Sequence, residues 1–387
     1  MIKLVNDTIS KEDIKALTEW LLQDQTPQLT KGSLTREFEK KWADKIGTKY
    51  SIFVNSGSSA ILLALSALKQ SGKLKNNKVV VSSLSWHTDV SSPMLLGMQT
   101  ILTDCNLKDL SCDLQHLEKI FIQQKPSILI LVSVLGLVPD MQKITDLCKK
   151  YDVILLEDVC ESAGSEYKNI KLGNFGLASF FSFYYGHHLS TIEGGFINTN
   201  DRELAALLLS VRNHGWDRDL EESEKQKLRK EWNVGEFESL YKFYYQGFNC
   251  RSTDLQAFIG LRQIDKLEEF TKKRMQNFEI YKSNITCNTL KLETSENDIV
   301  SNFAFPVINE NRDIIVQNLK QLDIEVRPLI AGSIANQPFW IREYGELKLT
   351  NCDIVDKFGF YVPNNQKLEV QEIMQICDII NKYGVKK

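Results

Sequence analysis

Apolar positions recur along the first half of the chain in short runs that are rich in β-branched residues. Such runs occupy residues 51–54, 79–83, 100–104, 127–134 and 153–158, and segments with helical spacing separate them. Buried strands that alternate with helices are typical of a mostly parallel, doubly wound sheet. We therefore predict an α/β fold in which ligand-binding residues gather at the carboxyl ends of the strands.

Helical patterns mark both ends of this region. Ser10 and Asp13 form a capping-box pattern before apolar positions with helical spacing, which predicts a helix near the start of the chain. A longer helical pattern over residues 253–281 predicts a connector to a second domain of short strands and helices. We therefore predict a large domain over residues 1–250, with the first helix, and a connector with a smaller C-terminal α/β domain over residues 251–387.

Composition and charge exclude several classes of function. The 387 residues are 43% apolar and 25% charged, and the net charge of −3 offers no basic surface for nucleic acid. The longest apolar run, residues 128–138, is too short to cross a bilayer, and the first residues lack an apolar signal core, so we expect a cytoplasmic protein without a membrane partner. The eight cysteines form no C-x-x-C pair, so we expect inert thiols and no metal site.

The motif NSGSSA at residues 55–60 lies between a predicted strand and a predicted helix. Small residues in this position let backbone N–H groups at the helix N-terminus approach an anion such as a phosphate. A Gly-Ser turn that only caps the helix is the alternative.

Two other predicted strands end in residues with chemical potential. The sequence LLEDVCESAG, at 155–164, places Asp158 at the carboxyl edge of the sheet, where a buried carboxylate needs a cationic partner. A protonated pyridine nitrogen would serve, although Asp158 could instead cap a helix. The sequence SWHTDV, at 85–90, supplies Trp86, whose flat ring could stack on a planar cofactor or pack in the core.

The sequence SFYYGHHLSTIEGG, at residues 182–195, contains two of the five histidines side by side. Together with the order of the preceding motifs, it resembles the DegT/DnrJ/EryC1/StrS family of pyridoxal-phosphate enzymes, which have the aspartate aminotransferase fold (fold type I). In that family a stretch of the form SFxxxKxLxxGEGG carries the lysine that binds the cofactor. Aligned on Ser182 and on residues 193–195, the lysine position holds His187. The resemblance covers nearly the whole chain, and it implies an enzyme without the catalytic lysine.

The same resemblance implies a cofactor and the residues that hold it. The expected cofactor is pyridoxal 5′-phosphate (PLP) or its amine form, pyridoxamine 5′-phosphate (PMP). The matching positions are Gly57, Ser58 and Ser182 for the phosphate, Trp86 for stacking, Asp158 for the ring nitrogen, Glu161 near the phenolic oxygen, and Asn249 for the phosphate in the neighbouring subunit's site. The last of these implies a homodimer with shared active sites.

Replacement of the lysine by histidine implies a different reaction. A lysine anchors the cofactor covalently and moves a proton, whereas a histidine can only move the proton. The resemblance to a lysine-lacking branch of the family implies that His187 assists removal of the C3 hydroxyl from a nucleotide-linked 4-keto-6-deoxyhexose. The expected substrate is GDP-4-keto-6-deoxy-D-mannose, the expected product is a 4-keto-3,6-dideoxy sugar, and the expected amine donor is glutamate.

A second lysine-lacking branch of the family carries a [2Fe–2S] cluster and needs a reductase. Its cysteine-rich segment would fall within residues 214–249, which contain no cysteine. We therefore expect neither an iron–sulfur cluster nor a reductase partner.

Residues for substrate recognition are harder to assign. Arginine forks suit diphosphates, and aromatic or histidine side chains suit a sugar nucleotide. The candidates are His188, His214, Trp216, Arg218, Arg251 and Arg327. His188 could instead be a flanking residue of the turn, and the others could be surface ion-pair residues. Two further functions stay open at this point: an aminotransferase that leaves its amine on the sugar, and an inactive relative that acts as a binding or regulatory subunit.

Overall fold

A seven-stranded sheet forms the centre of the large domain in this computed structural model, which describes residues 1–287, 289 and 292–385. The strand order is β1-β9-β8-β5-β4-β2-β3, and β9 runs antiparallel to both of its neighbours while β2, β3, β4, β5 and β8 are parallel. The strands up to this point of the chain are β1 Tyr50–Val54, β2 Lys78–Ser82, β3 Gln99–Thr103, β4 Ile128–Val132, β5 Ile154–Asp158, β6 Glu166–Tyr167, β7 Ile170–Lys171, β8 Ala178–Ser182 and β9 Gly195–Thr199. The predicted mostly parallel sheet is confirmed.

Helices pack against the strands of this sheet and against elements of the smaller domain. They are α1 Lys11–Leu21, α2 Ser33–Ile46, α3 Gly57–Gln70, α4 His87–Leu95, α5 Leu114–Gln124, α6 Met141–Lys150, α7 Arg202–Val211, α8 Glu222–Glu231, α9 Asp254–Gln263, α10 Leu267–Asn284, α11 Arg312–Gln321, α12 Pro338–Tyr344, α13 Thr350–Phe358 and α14 Val370–Tyr383. The predicted first helix is confirmed, since the Asp13 N–H donates to Ser10 Oγ at 3.1 Å and the Ser10 N–H donates to Asp13 Oδ2 at 2.9 Å. Within the described ranges, no helix combines the length and the apolar character that a bilayer span requires.

An aromatic cluster fixes the strand ends from which the loops of the candidate site emerge. Phe38 and Trp42 of α2 pack against Phe53 of β1, Phe196 of β9 and Phe183, which directly follows β8. The ring centroids of these pairs lie 4.9–5.6 Å apart, and all five side chains are buried. Burial of each such side chain contributes about 1.5–3 kcal/mol, so the cluster holds α2 firmly against these three strand ends.

The smaller domain is built on a three-stranded antiparallel sheet with the order β10-β12-β11. These strands are β10 Ala304–Ile308, β11 Arg327–Pro328 and β12 Gly359–Pro363. α14 packs against both α10 and α11 beside this sheet. The predicted smaller α/β domain near the C-terminus is therefore present.

The predicted domain division between residues 250 and 251 stays a prediction. The contacts of the helices near it show which domain each helix packs against. A 3₁₀ turn at Ile264–Lys266 divides the connector into α9 and α10. On one side of the turn α9 packs on α1 and α2 of the large domain, and on the other side α10 packs on α14 of the smaller one. Residues at the very start of the chain also contact the smaller domain, since Ile2 pairs with Ile324. The chain therefore passes between the two domains twice.

Candidate active site

A cavity of about 440 Å³ lies where the loops after β1, β5 and β8 meet, and residues of the smaller domain close one side of it. Seven of the residues predicted from the sequence line it, namely Gly57, Ser58, Trp86, Asp158, Glu161, Ser182 and His187. Phe303, Ile330 and Tyr361 line it from the smaller domain, and Val5 lines it from the segment before α1. The strand ends thus bring together positions that are up to 130 residues apart in the chain.

The N-terminus of α3 forms one wall of the cavity. Ser56 caps the helix, with its Oγ accepting the Ser59 N–H at 3.0 Å, while the N–H groups of Gly57 and Ser58 have no acceptor within the helix by its geometry. A Cβ atom at Gly57 would lie 2.9 Å from the Cβ of Ser182, so only glycine fits this close approach. Free N–H groups, two serine hydroxyls and the helix dipole together suit a phosphate.

Asp158 lies at the carboxyl end of β5 and is 5% exposed. Its Oδ1 accepts the N–H of Cys160 at 2.8 Å, and burial raises the pKa of its carboxyl group. Among the described residues, no lysine, arginine or histidine forms an ion pair with it. A ligand with a cationic N–H would therefore complete this side of the cavity.

Two further side chains suit an aromatic ligand. Trp86 precedes α4 and is 55% exposed, so its indole is available for stacking and does not pack in the core. Glu161 accepts the Leu135 N–H at 2.9 Å, and burial raises the pKa of its carboxyl group to about 8. At neutral pH the carboxyl group of Glu161 is therefore mostly protonated and can donate a hydrogen bond.

The two adjacent histidines occupy different environments. The imidazole of His187 lines the cavity, 5.5 Å between ring centroids from Phe303, and burial lowers its pKa to about 4, so the ring is neutral at physiological pH. His188 is 1% exposed and does not line the cavity, because its Nε2 lies 2.9 Å from the carbonyl oxygen of Ser301 inside the protein. The structure therefore gives no support to substrate contact by His188 and places it as a buried neighbour of the turn.

The loop that carries His187 is held by backbone hydrogen bonds across its base. The Phe183 N–H donates to the Gly194 carbonyl at 2.9 Å, and the Tyr185 N–H donates to the Ile192 carbonyl at 3.1 Å. A Cβ atom at Gly195 would lie 2.4 Å from the carbonyl carbon of Ser56, which explains the glycine at the end of the acidic Gly-Gly sequence. The loop is therefore fixed against the N-terminal end of α3.

The remaining predicted residues do not line the cavity. Asn249 is exposed, and Arg251 pairs with Val54 at the end of β1 while its guanidinium donates to the side-chain oxygen of Asn213. Arg327 is exposed on β11 beside Tyr361. The segment that contains Asn249 and Arg251 therefore lies beside the residues that lead from β1 into α3, without lining the cavity.

His214, Trp216 and Arg218 form a separate cluster. The Arg218 guanidinium stacks 3.8 Å from the centroid of Trp216, whose other contacts include the rings of His214 at 5.3 Å and Phe243 at 5.1 Å. Arg218 also donates to the Leu240 carbonyl at 2.8 Å. Within one chain, these contacts hold the cluster together but do not direct it into the cavity.

Sequence reasoning missed several residues at or beside the site. Tyr361 and Phe303 come from the smaller domain, whose sequence contains no motif that points to them. Cys160 lines the cavity between two predicted residues, and Asp89 is fully buried, with a pKa raised by burial and then by the charge of Asp158. Asp89 follows Trp86 by three positions in a motif already singled out, so a carboxylate in the first turn of α4 was the available signal.

A group of possible metal ligands lies elsewhere. The ligand atoms of Asp104, Cys105 and Cys352 lie within 4.8 Å of one another, although the two cysteines are far apart in the chain. The Asp104 carboxylate already accepts the backbone N–H groups of Asn351 and Cys352, at 3.0 and 2.8 Å, at the start of α13. We interpret the group as a helix cap between two cysteines.

The sequence matches the DegT/DnrJ/EryC1/StrS aminotransferase family over residues 7–381, and the chain belongs to that family. It is 30% identical to the GDP-4-keto-6-deoxy-D-mannose 3-dehydratase of Yersinia pseudotuberculosis over 98% of both chains. It is also 27% identical to the GDP-perosamine synthase of Caulobacter vibrioides, over 91% of this chain and 90% of that protein. Its relatives therefore include both a sugar 3-dehydratase and a GDP-perosamine synthase.

Solved structures agree with this assignment. A GDP-4-keto-6-deoxymannose-3-dehydratase with bound GDP-perosamine superposes with a TM-score of 0.88 and 28% identity, over 98% of this chain and 100% of that chain. The same enzyme with a trapped PLP-glutamate geminal diamine gives the same TM-score, identity and coverage. The chain therefore has the fold of the type I PLP-dependent enzymes, as predicted.

Proposed function

We propose that this protein is a PLP/PMP-dependent sugar 3-dehydratase. It removes the C3 hydroxyl from a nucleotide-linked 4-keto-6-deoxyhexose, with GDP-4-keto-6-deoxy-D-mannose as the proposed substrate, and glutamate restores the amine form of the cofactor. One observation carries the proposal: a neutral His187 faces the cavity, and among the described residues no lysine lines it. The GDP moiety rests on the relatives, whose names include GDP-4-keto-6-deoxy-D-mannose 3-dehydratase.

The residues around the cavity fit the cofactor. The free N–H groups of Gly57 and Ser58, with the Ser182 hydroxyl, would hold the phosphate, and the exposed face of Trp86 would stack on the ring. Asp158 would pair with the ring nitrogen, and the protonated Glu161 would donate to the phenolic oxygen. Each of these groups otherwise has polar capacity or apolar surface that the protein alone does not use.

His187 is the proposed proton carrier. PMP supplies a primary amine for the sugar ketone and an electron-withdrawing ring that makes the adjacent C–H bond acidic. The neutral imidazole of His187 removes that proton and, once protonated, donates it to the departing C3 hydroxyl. Burial lowers the pKa of His187 to about 4, so the resting imidazole is neutral and free to accept a proton, and the imidazolium that forms is a stronger acid than a free one. Since a histidine forms no stable imine, it does not recapture the cofactor as a lysine would.

A homodimer with shared sites is part of the proposal. The segment around Asn249 exposes an unusual number of large apolar side chains, each between 51% and 81% exposed: Trp232, Phe237, Leu240, Tyr241, Phe243 and Phe248. An exposed apolar surface of this kind is typical of a protein–protein contact. A second copy that covers this apolar surface would bring its own cavity within reach of Asn249 of the first copy.

Product analysis tests the proposal. The purified protein is incubated with PLP, glutamate and, in turn, GDP-, CDP- and dTDP-linked 4-keto-6-deoxy sugars, and the sugar product is identified by mass spectrometry and NMR. We expect a deoxygenated 4-keto sugar with the GDP-linked substrate. An aminated sugar as the main product would instead establish an aminotransferase, and absence of glutamate-dependent change in the cofactor absorbance would indicate an inactive binding subunit.

A further inference from the structure

Asp89 is a buried acid that the proposed reaction does not yet use. It lies in the first turn of α4, three residues after Trp86, and is 0% exposed. Among the described residues, no hydrogen-bond donor reaches either of its carboxylate oxygens. A buried carboxylate without a donor is strongly disfavoured, so this group needs either a proton or a cation.

The carboxyl group that acts most strongly on Asp89 is that of Asp158, which is also buried. A hydrogen bond between two carboxyl groups requires a proton on one of them. The Cys160 N–H already donates to Asp158 at 2.8 Å, which favours the charged form of Asp158. The shared proton is therefore placed on Asp89.

The surroundings support this assignment. Burial, followed by the charge of Asp158, raises the pKa of Asp89 well above its usual range, against a smaller opposing effect of the Trp86 backbone. The thiol of Cys160, whose pKa burial also raises, faces the same pair and is uncharged. Among the described residues, no lysine or arginine is in ion-pair contact with Asp89.

We propose that Asp89 is a positioning residue that keeps its proton and donates it to Asp158, holding Asp158 as a carboxylate directed at the ring nitrogen of the cofactor. The pair then carries one negative charge, which a protonated pyridine nitrogen neutralises in a dry site. This inference rests on the proposed cofactor site, and it adds a role for a residue that does not line the cavity.

Two substitutions of similar size separate hydrogen-bond donation from packing. Asp89→Asn keeps a donor toward Asp158, whereas Asp89→Leu fills the same space without one. We expect Asp89→Asn to bind PMP within about threefold of the wild type and Asp89→Leu to bind about tenfold or more weakly, since a lost hydrogen bond to a charged group has this magnitude. The dissociation constant is measured by fluorescence titration of the apo-protein.

The protonation state of the ring nitrogen gives a readout that packing alone would not change. With ¹⁵N-labelled cofactor, the NMR shift should report a protonated nitrogen in the wild type and in Asp89→Asn, and a lower protonated fraction in Asp89→Leu. Glu157→Gln is the matched control. Glu157 is a buried acid next to Asp158 on β5, but it accepts the backbone N–H groups of Gly173, Phe175 and Gly176, so its loss should lower stability without moving the ¹⁵N shift.

The apo-protein provides a test that needs no cofactor. A folded-state pKa raised above the unfolded value means that stability is full below the unfolded pKa and is lost as the pH rises through the folded pKa. As the pH rises above the ordinary range of a carboxyl group, the wild-type melting temperature should therefore fall more steeply than that of Asp89→Asn, which lacks the titrating group. Glu161 contributes equally to both proteins.

The possible outcomes are distinguishable. Wild type that binds PMP, together with Asp89→Leu that matches its affinity and ¹⁵N shift, would overturn the role of Asp89 and leave the proposed function intact. Wild type that fails to bind PMP or PLP would overturn the proposed function and, with it, the role of Asp89. If Asp89→Leu does not fold, the apo-protein comparison decides: equal pH slopes for wild type and Asp89→Asn would overturn the shared proton, and a shallower slope for Asp89→Asn would support it.

Discussion

The cavity at the strand ends and the exposed segment from His214 to Arg251 contrast in how far one chain completes them. The first brings seven predicted residues into one space, with Gly57 packed against Ser182 and Asp158 held by a backbone N–H group. The exposed segment carries five predicted residues, which contact one another or lie exposed at the protein surface, and none of them lines the cavity. Under the proposed function, one chain forms the cofactor side of the site, and the proposed second copy completes the substrate side.

The adjacent histidines repeat this contrast over a single peptide bond. His187 faces the cavity beside Phe303, and His188 faces the protein interior toward Ser301. His187, the proposed proton carrier, is therefore followed directly by a second histidine, His188, that is buried in the protein interior. This pair offers a matched control within the sequence.

The largest predicted effect comes from His187→Asn. Loss of the proton carrier should lower the rate of C3 elimination about 10³-fold, the usual contribution of a general acid–base group, while PMP affinity stays within a few-fold of the wild type. His188→Asn should instead lower the melting temperature, because it disturbs a buried side chain, with a smaller effect on rate. Single-turnover kinetics and thermal unfolding of both variants measure the difference.

Near-normal elimination by His187→Asn would remove His187 from the mechanism. A rate loss of equal size in both variants would show that the two histidines act through the fold of the loop and not through separate roles.

An intermediate effect is expected for Asn249→Ala, which tests the shared site. Loss of one hydrogen bond to a phosphate should weaken cofactor binding about tenfold. Mixed with His187→Asn subunits under conditions of exchange, it should recover part of the lost activity, because one site of a mixed dimer would then contain both native residues. Absence of recovery in dimers shown to be mixed would contradict sites shared across the interface.

The smallest predicted effect concerns Glu161. Burial raises its pKa to about 8, so the wild type should lose activity as the pH rises through that value and the hydrogen bond to the phenolic oxygen is lost. Glu161→Gln keeps a donor that does not titrate, so its alkaline limb should move to higher pH with a rate at pH 7 within a few-fold of the wild type. Unchanged limbs in rate profiles of the two proteins would assign that ionisation to another group.

The sequence predicted the site residues that lie at the carboxyl ends of buried strands. Asp158 and Ser182 end β5 and β8, so the parallel sheet alone brings them to one edge. Tyr361 and Phe303 were not predictable, because the packing of the smaller domain against the large one leaves no local pattern. Asp89 was overlooked because its burial depends on how α4 packs. The His214 cluster lies away from the cavity within one chain, and its role in substrate binding stays a prediction.

One mass balance tests the central claim, that histidine at position 187 makes the enzyme remove a hydroxyl and not add an amine. The PMP-loaded protein is given one equivalent of GDP-4-keto-6-deoxy-D-mannose without glutamate, and the sugar, the ammonia and the cofactor form are quantified together. We predict a sugar that is one oxygen atom lighter, with one ammonia released and one PLP formed for each sugar converted. A 4-amino sugar with no ammonia released would contradict the account.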